Sequence, residues 1–241
     1  MINTIVKSIF SKIHNILNKG FYKIKFPLID NLPSDISEYL GINKDEFLYC
    51  LKMGSYHEKY RDYKYNYRKW LLNSFYYFYD LCEWHLKDKL GYVLVSIIIL
   101  FSRKKLKILD FGSGIGTRAL IMSRRNEVTL VEINKNLLNF SKWRFKKYNR
   151  KADFYPELPK GKIYDIIFLV DVIGHLTEPI KTINQVCSSL KKGGFLKVTF
   201  DNFKESSSRD IHRNKEINFH RIFEQKGLSK IDHLLFNYKK K

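Results

Sequence analysis

The sequence predicts an α/β fold: a doubly wound, mostly parallel sheet preceded by a helical N-terminal module. Three observations carry this expectation. From residue 107 onward, apolar stretches of strand length alternate with stretches of helical periodicity, the pattern of parallel strands covered on both faces. The first of these strands, KILDF, runs into GSGIGT, a turn with glycines at 112, 114 and 116 that re-emerges as a helix. Residues 1–90, by contrast, read as helices joined by short breaks.

The elements follow in order. INTIVKSIFSKIHNIL places Ile2, Ile5, Val6, Ile9, Phe10, Ile13, Ile16 and Leu17 on one helical stripe. FPLIDNLPSD, with Pro27 and Pro33, reads as a connector, and Ser34 or Asp35 is placed to cap the next helix. Residues 56–84 hold twelve aromatic side chains, several alternating with Lys and Arg. Tyr56, His57 and Tyr60, in the polar start of that segment, are candidates for a lid, whereas FYYFY is expected to be buried on one side. VLVSIIILF is a buried helix ending in the basic turn 103–105. Beyond KILDF come a helix from Thr117, the strand VTLVEI, the basic helix NKNLLNFSKWRFKKYN, the short strand ADFY and the buried strand YDIIFLVDV. EPIKTINQVCSSLKKGG is read as a helix closed by glycines, followed by the strand FLKVTF, a helix ended by Gly227 and a last strand SKIDHLLF. The division is a helical module at 1–88 and an α/β domain at 89–241.

The formal net charge of +20 points to polyanionic partners such as nucleic acid or an anionic membrane surface, or else to an AT-rich coding sequence that favours lysine. The basic excess is greatest in residues 91–160, with 15 basic against 5 acidic side chains, yet it is present throughout the chain. Residues 1–18, with Lys7 and Lys12 beside the apolar stripe, are the candidate for peripheral membrane contact. The longest apolar run, residues 92–101, is too short for a transmembrane segment. Cys50, Cys82 and Cys187 are isolated, so neither a metal site nor a disulfide framework is indicated. A reducing, cytoplasmic setting is the expectation.

In an open α/β sheet the ligand crevice lies at the carboxyl ends of the strands, where the glycine turn falls. A dinucleotide site prefers G-x-G-x-x-G, so that a helix amino end receives the pyrophosphate. Here the spacing is G-x-G-x-G, preceded by Asp110 at the strand end. A carboxylate there repels pyrophosphate and suits a ligand bearing an ammonium near a sulfonium. Glu132, 22 residues after Asp110, ends the next strand, where a carboxylate can take both hydroxyls of a ribose. The combination favours S-adenosyl-L-methionine over NAD.

LDFGSGIGT, LVEIN, YDIIFLVDVIGHL and SLKKGGFLKVTF, in this order and spacing, resemble the successive motifs of class I S-adenosylmethionine-dependent methyltransferases, most closely the group acting on small molecules, lipids and sugars. The resemblance covers roughly residues 90–238. It implies a Rossmann-like sheet of seven strands, with Gly112, Ser113, Gly114 and Gly116 against the methionine moiety, Asp110 helping to hold its amino group, and Glu132 on the ribose. Ile133, beside Glu132, belongs to the same cofactor set. The loop at Asp153 and Phe154 would approach the adenine, and Asp171 would shape the pocket. The chain departs from the pattern in three ways: Gly174 replaces a common acidic residue, NYKKK leaves little material for the usual final antiparallel strand, and residues 1–88 are not covered.

Methyl transfer from a sulfonium is an in-line displacement that needs alignment and exclusion of water. A general base is needed when the acceptor is a hydroxyl. His175 is the candidate base; its competing role is to orient the Asp171 loop or cap the helix at Thr177. His212 is a weaker second candidate. The run KWRFKKYNRK, residues 142–151, is a solvated helix face or a phosphate-binding patch. The expected activity is methyl transfer to a small-molecule, lipid-linked or sugar acceptor at oxygen, with an RNA methyltransferase and a non-catalytic binding protein as the competing functions.

Overall fold

The computed structural model describes residues 25–53, 76–100, 105–199, 214, 216–231 and 236–241. The N-terminal stripe, Tyr56, His57, Tyr60 and His212 lie outside them. The predicted connector is helical instead. Helix α1 spans Pro27–Asp30 and α2 Leu32–Leu40. Pro27 and Pro33 sit in the first turns, where a missing N–H breaks no helical hydrogen bond. Asp35 therefore lies inside α2, fully buried, and caps nothing.

Helix α3 (Lys44–Met53) follows, then α4 (Tyr76–Lys87) and α5 (Lys89–Leu100), separated by Asp88 alone. Phe78 is buried while Tyr76 on the same helix is exposed, so the described part of FYYFY, residues 76–79, packs on one side as its spacing predicts. Phe78 meets Phe140 edge-on at 5.2 Å, and with Leu32, Ile36, Phe47 and Cys82 it shares one apolar cluster with Ile115 of the glycine turn.

Strand β1 (Lys107–Phe111) pairs in parallel with β2 (Glu127–Val131) and β4 (Tyr164–Leu169); β3 (Asp153–Tyr155) lies outside β2. Between them run α6 (Thr117–Met122) and the basic α7 (Lys135–Lys147), the latter capped by the Asn134 side chain, which accepts from the Asn136 and Leu137 amides. Helix α8 (Pro179–Ser189) leads into β5 (Leu190–Val198), then α9 (Phe219–Gln225), β6 (Leu228–Lys230) and β7 (Tyr238–Lys240). The sheet order is β3-β2-β1-β4-β5-β7-β6, with β7 antiparallel to both of its neighbours.

Two expectations are corrected here. SLKKGG does not close a helix: α8 stops at Ser189, and Leu190 already pairs with Tyr164. The register then shifts, so that Ile166 faces Phe195, and the glycines serve this bulge. A Cβ on Gly194 would lie 2.8 Å from the Asp165 carbonyl oxygen, so only glycine lets the strands approach. Secondly, NYKKK is sufficient for the final antiparallel strand, because Tyr238 is buried against Phe223 and anchors a strand of three residues between β5 and β6.

His85 on α4 is buried, stacks on Tyr92 of α5 at 4.0 Å, and donates from Nδ1 to the Leu81 carbonyl at 2.6 Å. Burial holds its pKa down at about 3, with the Arg144 and Arg118 cations acting in the same direction. The folded pKa lies below the ordinary histidine value, so the unfolded chain binds the extra proton first. The stability that neutral His85 provides is present above about pH 6.5 and is lost as the pH falls towards 3. A His85→Phe variant is expected to lose about 2 kcal/mol less than wild type between pH 6.5 and pH 5 in urea titrations. Equal losses would show that this histidine does not set the acid sensitivity.

Candidate functional site

The site forms at the carboxyl ends of β1, β2 and β4. The glycine turn folds back on β2: the Gly112 and Ser113 amides both donate to the Val131 carbonyl, at 2.8 and 3.1 Å. Gly112, Gly114 and Gly116 all take left-handed φ angles of 71°, 55° and 69°. Space is as restrictive as conformation at two of them. A Cβ on Gly112 would meet Val172 at 2.3 Å, and one on Gly116 would meet the Ser141 hydroxyl at 2.7 Å. Gly114 is roofed by Leu81 of α4, at 3.5 Å from its would-be Cβ. The helical N-terminal part therefore lies directly on the turn.

Glu132 sits in the floor, 8% exposed. Its Oε2 accepts from the Gly114 amide and its Oε1 from the Asn134 amide, each at 2.8 Å. Burial pushes its carboxyl pKa up, and those two amides oppose the shift. Each carboxylate oxygen retains a lone pair for a further donor. Ile133 alongside is 57% exposed, an apolar side chain held at the crevice.

Asp110 is buried below the turn, 2% exposed. One oxygen accepts from Arg118 Nη1 at 3.3 Å, while Oδ2 has no hydrogen-bond partner. Burial raises its pKa and Arg118 opposes that. The Arg118 guanidinium is layered over the rings of Tyr92 (5.0 Å) and Phe168 (5.4 Å). The nearby Ser113 hydroxyl is likewise buried and without a partner. Asp110 thus secures the first turn of α6 through Arg118, a role the strand-end motif did not reveal. Arg118 carried only the weak signal of standing next to Thr117.

Asp171 follows β4 at the adjoining strand end, with φ 57°, a left-handed conformation uncommon for a side chain other than glycine. Thr199, just beyond β5, holds it in place: the Asp171 amide donates to Thr199 Oγ1 at 2.7 Å, and that hydroxyl donates to the Asp171 carboxylate at 2.8 Å. His175 closes a short 3₁₀ turn, Ile173–His175, and is half-buried. The Asn214 side chain braces this turn by donating to the Ile173 and Leu176 carbonyls at 2.8 and 2.9 Å. Val172, which opens the turn, is the residue packed on Gly112.

Asp153 and Phe154 are not brought to the crevice. Asp153 starts β3 opposite Thr129, at the far end of the strand, and pairs with Lys162. Phe154 packs edge-on against Phe145. The residue of β3 that reaches the site is Tyr155, whose carbonyl accepts from the Glu132 amide at 3.1 Å. ADFY marks a strand but not its register; two residues of offset separate the two ends.

The residues that converge fit S-adenosylmethionine. Asp110 Oδ2 and Ser113 Oγ are buried polar atoms lacking partners, which a ligand with an ammonium and a carboxylate can satisfy. The glycine backbone leaves the turn open to close approach, and Glu132 with Ile133 presents a carboxylate beside an apolar contact.

Comparison with known proteins agrees with this chemistry. The family described as "Methyltransferase domain" matches residues 85–230. No curated protein matches the chain. Among solved structures, the magnesium protoporphyrin IX methyltransferase of Synechocystis PCC 6803, with bound SAH, superposes with a TM-score of 0.52 at 15% identity, over 64% of this chain and 85% of that one. The YcgJ protein of Bacillus subtilis gives a TM-score of 0.47 at 19% identity, over 56% and 68% of the two chains. The [4+2]-cyclase SpnF gives 0.48 at 19% identity, over 61% and 59%.

Proposed function

The chain belongs to the methyltransferase-domain family and is an S-adenosylmethionine-dependent methyltransferase, and from that premise we propose that it methylates a hydroxyl of a small-molecule or lipid-linked acceptor, with His175 as the general base. S-adenosylmethionine supplies an electrophilic methyl group on a sulfonium. Glu132 binds the ribose hydroxyls, Ile133 lies against the adenine, and the backbone of the glycine turn with Ser113 holds the methionine end. Asp110 and Arg118 keep that turn in shape. Asp171, latched to Thr199, forms the pocket edge between the ends of β4 and β5.

The observation that supports an oxygen acceptor most directly is the placement of His175. It stands on a turn braced by Asn214 and packed through Val172 on Gly112, beside the crevice and only half-buried. An imidazole there can take a hydroxyl proton as the displacement proceeds. Leu81 of α4 covers the glycine turn, so this helix contributes a wall that excludes water and selects the acceptor.

The test is methyl transfer from S-adenosylmethionine to a panel of phenols, sugars and lipid-linked hydroxyls, with oligoribonucleotides included. Transfer to a hydroxyl acceptor is expected, and His175→Gln should lower kcat by roughly 100-fold or more while leaving cofactor affinity unchanged. The acid limb of the kcat–pH profile should disappear with it. Unaltered kcat in the variant would remove His175 as the base, and transfer to nitrogen or to RNA alone would overturn the acceptor.

A further inference from the structure

The first residues of four neighbouring strands, Lys107 of β1, Glu127 of β2, Asp153 of β3 and Tyr164 of β4, all line a cleft of about 1290 Å³. It lies at the amino ends of the strands, whereas the glycine turn follows the carboxyl end of β1. A strand of five residues spans roughly 17 Å, so the two sites lie at opposite ends of the strands. The cleft is larger than the ~300–1,000 Å³ typical of a pocket for one drug-sized ligand.

Its lining is strongly basic. Nine Lys and Arg side chains face it against two carboxylates, and both carboxylates are already taken. Glu127 pairs with Lys105 at 2.9 Å, and Asp153 pairs with Lys162. Arg124 and Arg125, past the end of α6, line it. Lys142 and Lys146, one turn apart on α7, line it too, with Arg150 and Lys151 continuing past the helix end. None of these six has an acidic partner among the ion pairs of the described residues. Five are exposed and Arg150 is half-buried. Cations gathered around one cleft without acidic partners repel one another, and a chain of phosphates lying in it would relieve that repulsion.

We propose that this cleft binds single-stranded nucleic acid through its phosphates, as a docking site separate from the methyl-transfer crevice. Two features favour a strand over a lipid surface. The cations line a concavity, which a planar membrane would touch only at the rims. Among the large exposed apolar side chains of the described residues only Ile163 lines the cleft, too little to insert into a bilayer. The half-buried ring of Phe154 in the lining gives an unpaired base a surface to stack on, which a duplex cannot use.

Fluorescence anisotropy of the full chain with a labelled single-stranded oligonucleotide of about 15 residues, from about 50 to 200 mM salt, tests this. Affinity is expected to fall steeply with salt. Lys142→Gln with Lys146→Gln, both on the exposed face of α7, should weaken binding at least tenfold at low salt and reduce the log–log salt slope by about 1.4. The equal charge change Lys192→Gln with Lys226→Gln, on exposed positions away from the cleft, should leave the slope nearly unchanged. S-adenosylmethionine affinity should be the same in all three proteins, which keeps this test independent of the crevice. Equal losses in both variant pairs would reduce the effect to net charge and overturn the site. So would duplex binding as tight as single-strand binding, or retention on phosphatidylserine vesicles with no affinity for the oligonucleotide.

Discussion

Replacing Glu132 by alanine is expected to weaken S-adenosylmethionine binding by roughly 100-fold, because two functions are lost together. The carboxylate that would bond the ribose hydroxyls is also the acceptor for the Gly114 and Asn134 amides, so it fixes the glycine turn and the start of α7 in the same stroke. Glu132→Gln keeps the shape but turns an amide NH₂ toward one of those N–H donors, and an intermediate loss is expected. Since burial raises the Glu132 carboxyl, wild-type affinity should begin to fall on acidification at a higher pH than an ordinary glutamate would dictate. Calorimetric titration of wild type and both variants, with melting curves to confirm folding, measures this. Wild-type affinity in folded Glu132→Ala would remove the residue from the cofactor site. Asp110→Ala is a poorer probe, because it would leave the Arg118 guanidinium, 11% exposed, without its carboxylate.

Asp35→Ala is expected to cost about 3–5 kcal/mol of folding stability, since it strands a fully buried cation. Arg144 on α7 has no exposed surface. Its Nε donates to Asp35 at 3.2 Å, and its other nitrogens donate to the Leu28 carbonyl at 2.7 Å, the Ile115 carbonyl at 3.1 Å and Thr117 Oγ1 at 2.9 Å. Burial alone pushes the Arg144 pKa down, and Asp35 is the foremost group opposing it. Arg144→Met should cost less, because Asp35 retains Lys147 at 2.9 Å and the Tyr148 hydroxyl at 2.9 Å. The double variant should recover part of the Asp35→Ala loss, and a cycle in urea at constant m-value isolates the coupling. A loss below about 1 kcal/mol in Asp35→Ala would show that water or another group replaces the pair. The same arginine joins α1 and α2 to the end of the glycine turn, so cofactor affinity should fall in Asp35→Ala even where the protein remains folded.

Which parts of this molecule were legible in advance follows from the range of the forces involved. KILDFGSGIGT was readable because backbone constraint is local: left-handed glycines between a strand and a helix have few alternatives, and Glu132 stands at the next strand end by the same alternation. The strand and helix pattern was readable because burial on both faces demands continuous apolar runs. SLKKGG was misread because glycine serves a helix end and a strand bulge equally well, and only the pairing of β4 with β5 chooses between them.

The sequence by itself determined the α/β class, the turn, the carboxylate that follows it and the cofactor of the family. These depend on periodicity and on chemistry confined to a few adjacent residues. The tertiary structure alone decided the rest. It placed Arg118 on Asp110, Arg144 between Asp35 and the turn, Leu81 over Gly114, and Asp153 at the amino end of β3 among the cations that line that end of the strands. Those pairings join residues from 8 to 109 positions apart. Their partners are selected by which faces pack together and in what register, and a single chain read in order carries neither.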